Sequence, residues 1–339
     1  MKDMILNVKN LNVSFETFMG EVQAVRHVNF QLERGKTLAI VGESGCGKTV
    51  TAKTLMGLIQ SPGKIHPQSE VWYHEKNLLQ QSEKEWDAFR GKEFGMIFQD
   101  ALTALNPIHT IGYQIAEGLM LHGHLTKKEA LQRAEELLYK VGITNPQERL
   151  KQYPHELSGG MRQRIMIAIA LSCNPKLVIA DEPTTSLDVT IQAQILELIK
   201  KLQKEYGTTV ILITHDLGIV AGMADEIVVM YAGEIVEQGP CRDIFYHPQH
   251  PYTQNLLKAV PCLNKKKDEK LFVIEGNPPS LLHLEKGCPF YRRCQHCMNI
   301  CMREAPPTYR IDEKHVSKCW MHHQKVSNKT YEVQEGDAS

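Results

Sequence analysis

Uninterrupted apolar runs mark the centre of this chain. Leu38–Val41, Leu177–Ala180 and Val210–Ile213 are apolar throughout. Strands buried on both faces have this composition, so the runs predict the middle of a parallel sheet. Helical periodicity lies between them, as crossover connections require. Residues 4–35 follow another rule. Leu6 and Val8, then Leu11, Val13 and Phe15, then Val28, Phe30 and Leu32 alternate with polar positions. That alternation predicts short strands of a sheet with one solvated face.

Residues 101–172 predict a mostly helical insertion. Gly112 to Leu121 has helical spacing, and Thr126 with Glu129 makes a capping box ahead of Leu131, Ala134, Leu138 and Val141. Ile191, Ile195, Leu198 and Leu202 predict a helix from Thr190 to Tyr206, stopped by Gly207. Two strands, around Ile227-Val228-Val229 and Glu234-Ile235-Val236, turn at Ala232-Gly233. The chain thus divides into residues 1–240 and a proline-rich extension, 241–325, held by something other than a large apolar core. The charged run Lys265–Lys270 is expected to be a solvated linker, and residues 326–339 a disordered tail.

The run before Gly42 opens into Gly42-Glu43-Ser44-Gly45-Cys46-Gly47-Lys48-Thr49, followed by helical spacing at Leu55, Leu58 and Ile59. This is a phosphate-binding loop in its required setting of strand, loop and helix. The glycines let successive N–H groups converge on one anion, and the helix N-terminus adds positive potential. Lys48 is suited to the β and γ phosphates and Thr49 to Mg²⁺.

A second apolar strand ends in Asp181-Glu182. Carboxylate oxygens suit a hard cation, which assigns Asp181 to Mg²⁺; Glu182 is placed to take a proton from water. Gln99 and His215 also end strand-like segments and would line the same crevice. Ser158 fits an N-cap, with Gly159 and Gly160 freeing first-turn N–H groups for a second anion site. Phe15 suits either adenine stacking or an ordinary core position.

Composition narrows the classes. The 339 residues carry 39 basic and 39 acidic side chains, and aromatics are 7%, so neither a basic stripe nor a stacking surface points to nucleic acid. No stretch approaches the about 20 apolar residues that span a bilayer. The start, Met1-Lys2-Asp3-Met4, lacks the apolar core of a signal peptide, so an intracellular chain is expected. Of nine cysteines, Cys46, Cys173, Cys241 and Cys262 are scattered, and five crowd between Cys288 and Cys319. Inside a cell such crowding favours metal binding over disulfides.

Taken in order, the phosphate loop, Gln99, Leu157-Ser158-Gly159-Gly160, Asp181-Glu182, Ser186-Leu187-Asp188 and His215 resemble the nucleotide-binding subunit of an ABC transporter. Gly42-Glu43-Ser44-Gly45, Phe98-Gln99-Asp100 with Leu105-Asn106-Pro107, His250-Pro251-Tyr252-Thr253 and the cysteine-bearing tail resemble the ATPases of oligopeptide and dipeptide importers. Met161, where many ABC proteins carry Gln, and Cys46 depart from the commoner pattern.

The resemblance implies an α/β fold: a mostly parallel sheet with an antiparallel β subdomain, an inserted helical subdomain and a small Cys-rich extension. It implies that Gly42, Ser44, Gly45, Cys46, Gly47, Lys48 and Thr49 bind ATP, with Phe15 at the adenine. Gln99 and Asp181 complete the Mg²⁺ and water shell, Glu182 is the base and His215 the γ-phosphate switch. Ser158, Gly159 and Gly160 face the ATP of an opposing subunit, with Asp188 near that interface. Expected partners are a second, different ATPase subunit, two membrane-spanning permease subunits and an extracytoplasmic peptide-binding protein, at the cytoplasmic face of the membrane.

Cys288, Cys294, Cys301 and Cys319 suit a 4Fe–4S cluster or tetrahedral Zn²⁺, with Cys297, His296, His322 and His323 as further donors, or reduced thiols without metal. An ATPase of a nickel or metal-chelate importer shares these motifs. A soluble ABC protein of ribosomes or DNA would need two ATPase halves or a long coiled coil, and the chain has one phosphate loop.

Overall fold

The computed structural model describes residues 3–185, 187–260, 272–282 and 284–324. Ser186, Cys262, the run Lys265–Lys270 and residues 326–339 lie outside these, and so do the expectations attached to them.

Among the described residues the main sheet has eight strands. Its core is five parallel strands in spatial order Glu226–Tyr231, Thr37–Val41, Thr209–Thr214, Leu177–Asp181 and Phe94–Ile97. Every residue of the last four is buried, which explains their lack of polar alternation. Helices cross over between them, so the sheet is covered on both faces.

A second sheet, antiparallel, lies beside it. The sequence predicts several short strands here; the structure instead has two of 14 residues each, Met4–Thr17 and Gly20–Glu33, paired as one hairpin. Register shifts interrupt the ladder, and Asn10 and His27 near them have φ of 46° and 47°. Bulges of this kind break the two-residue period without ending the strand.

The helical insertion forms as predicted. Ile111–Gly123 and Lys127–Lys140 pack into one apolar cluster with Gly159–Leu171. The Thr126–Glu129 capping box is present in both directions. Val189–Tyr206 ends at Gly207 in a left-handed conformation, and Ala232-Gly233 turns its hairpin with φ of 49° and 83°. No helix among the described residues is long and apolar enough to cross a membrane.

The extension has more apolar anchorage than its sequence suggests. Ile244, Tyr252 and Phe290 are buried in one cluster with Val229, Tyr231 and Val236 of the main sheet. Tyr231, Tyr252 and Phe290 meet with ring centroids 4.6, 5.2 and 5.3 Å apart. Val316–Ser317 pairs with the strand Glu234–Pro240 and prolongs the sheet.

A buried carboxylate ties this junction. Glu237 is fully buried and accepts from Gln249 N–H at 2.7 Å, His250 N–H at 2.9 Å and His315 Nε2 at 2.7 Å. Burial depresses the His315 imidazole, but the hydrogen bond and charge of Glu237 outweigh it, and its pKa lies above the ordinary value. A raised imidazole contributes stability fully below about pH 6.5 and loses it as pH rises through the folded value. The melting temperature should therefore fall from about pH 6.5 upward. In His315→Gln that slope should flatten; equal slopes in the two proteins would contradict the assignment.

Candidate functional site

The site forms where the parallel strands end. Four neighbouring strands finish at Val41, Thr214, Asp181 and Ile97, so the phosphate loop, His215, Asp181-Glu182 and Gln99 emerge along one edge.

The loop is shaped by close approach. A Cβ on Gly42 would stand 2.2 Å from Met230 O, and one on Gly47 would stand 2.4 Å from Ala24 O. Gly47 also has φ of 102° immediately before the helix Lys48–Leu55. Lys48 is 4% exposed, and its ammonium donates to Gly42 O at 2.8 Å and Glu43 O at 2.9 Å. Cys46 is buried behind it, its thiol pushed up by burial.

Two side-chain groups face this loop. Thr49 Oγ1 donates to Asp181 Oδ1 at 3.1 Å. Burial raises the Asp181 carboxyl pKa, and the Thr49 hydrogen bond only partly opposes this. A buried carboxylate beside a hydroxyl is a pair of hard oxygen donors that a cation would stabilise, so the residues present fit Mg²⁺.

The other group centres on Glu182. Its Oε2 accepts from Gln99 Nε2 at 3.1 Å and Thr185 Oγ1 at 2.9 Å, and lies 3.4 Å from His215 Nδ1. Glu182 has φ of 46°, a left-handed conformation uncommon for a non-glycine residue. Its N–H is fixed to Ile213 O at 2.9 Å, so the neighbouring strand holds it there. The structure thus brings Gln99, Glu182 and His215 into one cluster beside Thr49 and Asp181.

Other sequence-predicted residues stand apart. Ser158 Oγ caps Met161 N–H at 3.4 Å, and Ser158 and Gly159 are exposed. Among the described residues Ser158 has no hydrogen bond to the phosphate loop. Asp188 caps the helix Val189–Tyr206 through Ile191 N–H at 2.9 Å. Phe15 is half-buried, and its Cε1 would lie 2.8 Å from a Cβ on Gly63.

In the extension, burial pushes the Cys288 thiol up to about 12 and Cys319 to about 11, and Cys294 and Cys301 are electrostatic neighbours of both. Cys297 is exposed, and His322 Nε2 is paired with Gln249 O at 3.2 Å. Among the described residues no three His, Cys, Asp or Glu are arranged to hold a metal ion.

Three residues at the site were not assigned from sequence. Thr185 braces Glu182, and Tyr252 and Arg293 both reach Glu43. Tyr252 carried only a family likeness. Nothing in a single sequence pairs Arg293 with a residue 250 positions away.

Residues 25–185 match the ABC transporter family, and residues 236–301 match the oligopeptide/dipeptide transporter C-terminal region. The chain is 53% identical over 319 residues to the oligopeptide transport ATP-binding protein OppD of Bacillus subtilis, covering 94% of this chain and 89% of that one. It is 50% identical to the dipeptide transport ATP-binding protein DppD of the same organism, covering 99% of each. The Escherichia coli OppD is 49% identical, covering 94% and 93%. A solved dimeric ATP-binding cassette, in a post-hydrolysis state with ADP and Pi, superposes with a TM-score of 0.63 at 28% identity, covering 70% of this chain and 99% of that one.

Fold and likeness define the class, an ABC-type ATPase. Within that class the chain belongs to the family of oligopeptide and dipeptide transport ATP-binding proteins.

Proposed function

We propose that this chain hydrolyses ATP to drive import of oligopeptides or dipeptides through an ABC transporter. The observation that carries the chemistry is the meeting of Gln99, Glu182 and His215 beside the Thr49–Asp181 pair. Lys48 turns from the carbonyls of Gly42 and Glu43 to the β and γ phosphates, while the loop N–H groups of Gly42, Ser44, Gly45, Cys46 and Gly47 line the anion. Thr49 and Asp181, with Gln99, would hold Mg²⁺, which would supply charge neutralisation at the phosphate oxygens. Glu182 takes the proton of the attacking water, and Gln99 and Thr185 keep its carboxylate aimed. His215 contacts the γ-phosphate and senses its loss. Phe15 supports the adenine.

The exposed first turn at Ser158, Gly159 and Gly160, with Asp188 nearby, faces the ATP of a second ATPase subunit, most simply a different chain. ATP thereby favours the closed pair, and hydrolysis releases it. Residues 1–240 are the motor, and residues 241–325 are an extension that braces it. Leu102, Ile108 and Leu121 are exposed apolar side chains on the helical insertion, residues 101–172, and suit contact with two permease subunits at the cytoplasmic membrane face. An extracytoplasmic binding protein would select the peptide.

Cells lacking this chain should lose uptake of labelled peptides and keep nickel uptake. The wild-type gene should restore uptake. Glu182→Gln should not, while its purified protein still binds ATP and its hydrolysis falls roughly 10²–10⁴-fold. Loss of nickel uptake instead would favour the metal-chelate reading.

Cys288, Cys294, Cys301 and Cys319 would hold a 4Fe–4S cluster, with Zn²⁺ the alternative. Support comes from the donor chemistry of four thiols in one small extension, with Cys294 and Cys301 electrostatic neighbours of Cys288 and Cys319. Burial raises the pKa of Cys288, Cys294 and Cys319, so metal binding must release protons and loading should strengthen as pH rises. Anaerobically purified protein should show iron and visible charge-transfer absorbance, both lost in Cys288→Ser. Colourless, iron-free protein would overturn the cluster.

A further inference from the structure

Glu43, second residue of the phosphate loop, is held at every polar group it has. Its N–H donates to Tyr252 Oη at 2.9 Å, and its carbonyl accepts from Lys48 Nζ at 2.9 Å. Its carboxylate takes both terminal nitrogens of Arg293, at 2.6 and 2.9 Å. The Arg293 side chain is only 4% exposed and that of Glu43 24%.

Arg293 is itself fixed. Its Nε donates to Glu275 O at 2.9 Å and its Nη2 to Ile274 O at 3.2 Å, while Nη1 lies 3.3 Å from Tyr231 Oη. Its guanidinium also stands over the rings of Tyr231 and Phe290, at 5.8 and 6.0 Å from their centroids. Tyr252 is fully buried against the same aromatic rings. The extension therefore presents two rigid contacts to one residue of the loop.

Two physical consequences follow for an incoming triphosphate. A carboxylate beside a phosphate site repels the ligand unless a cation neutralises it, and a partly buried pair is screened little by salt. The Lys48 ammonium has three donors and spends two on the carbonyls of Gly42 and Glu43, so incoming phosphates compete with the Glu43 carbonyl for it. When Lys48 turns to the phosphates, Cys46 N–H still reaches the Glu43 carbonyl at 3.4 Å, and Tyr252 and Arg293 hold its N–H and its carboxylate from the extension.

We propose that Arg293, with Tyr252, is a positioning residue for ATP binding: from the C-terminal extension it neutralises and fixes Glu43, so that the loop N–H groups keep their convergence as the phosphates draw on Lys48. This rests on the reading that the loop binds ATP.

The test is a double-mutant cycle in the full chain, reading ATP affinity by calorimetry and folding by melting temperature. Arg293→Gln should weaken ATP binding about tenfold or more, because it strands the Glu43 carboxylate. The same substitution in a Glu43→Gln chain should change affinity by less than about threefold. In steady state KM for ATP should rise with Arg293→Gln while kcat changes little. Equal weakening in both backgrounds, or no weakening in either, overturns the proposal. If Arg293→Gln does not fold, Arg293→Lys keeps the charge and loses the fork. It should weaken ATP binding in the Glu43 chain and not in the Glu43→Gln chain, and equal effects in both overturn the proposal. A wild-type chain that fails to bind ATP rejects the ATP reading itself, and this proposal with it.

Discussion

Strand register is the constraint on which the site depends. Val41 pairs with Thr214, Asp181 with Ile213 and Ile97 with Ala180, all in parallel. These strands are wholly buried, so their backbone groups must find partners in the sheet. Side chains alternate across a strand, so a slip of one residue would exchange Asp181 and Glu182. The carboxylate that meets Thr49 would turn away, and the one that meets Gln99 and His215 would be buried. The Glu182 N–H bond to Ile213 O holds the next residue in a left-handed conformation that few side chains tolerate. Register thus sets two neighbouring carboxylates in two different surroundings.

The phosphate loop is supported from two directions. Strand Thr37–Val41 and helix Lys48–Leu55 give it its curl, with Met230 and Ala24 packed so close that only glycine fits at Gly42 and Gly47. The C-terminal extension then grips Glu43, and its aromatic rings share a core with the strand Glu226–Tyr231. By contrast the Ser158 turn is exposed and makes no hydrogen bond to the loop among the described residues. Tight support on one side and an exposed helix turn on the other suit the closure against a partner proposed above.

Much of this was legible because its signals are local. A strand buried on both faces must be apolar along its length, so Leu177–Ala180 and Val210–Ile213 declare themselves, and the polar residue that follows each marks the crevice. Caps are equally local, as Thr126 and Ser158 demonstrate. The long hairpin Met4–Glu33 was harder, since its bulges break the alternation and imitate strand ends. Least legible were contacts between distant segments. Arg293 looks like any basic residue beside a cysteine, and Tyr252 like a helix-start aromatic, until folding sets both against Glu43. The apolar anchorage of the extension was also hidden, because Tyr252 and Phe290 find their partner Tyr231 in the other part of the chain.

The central claim is that this chain carries half of an ATP site, completed by Ser158-type residues of another subunit. Turnover per chain, measured across protein concentration with and without the companion ATPase subunit, tests this most directly. The account predicts weak hydrolysis by the chain alone at high dilution, and a rate that climbs steeply as the companion is added. Full turnover by the isolated monomer, unchanged by concentration or companion, would contradict it.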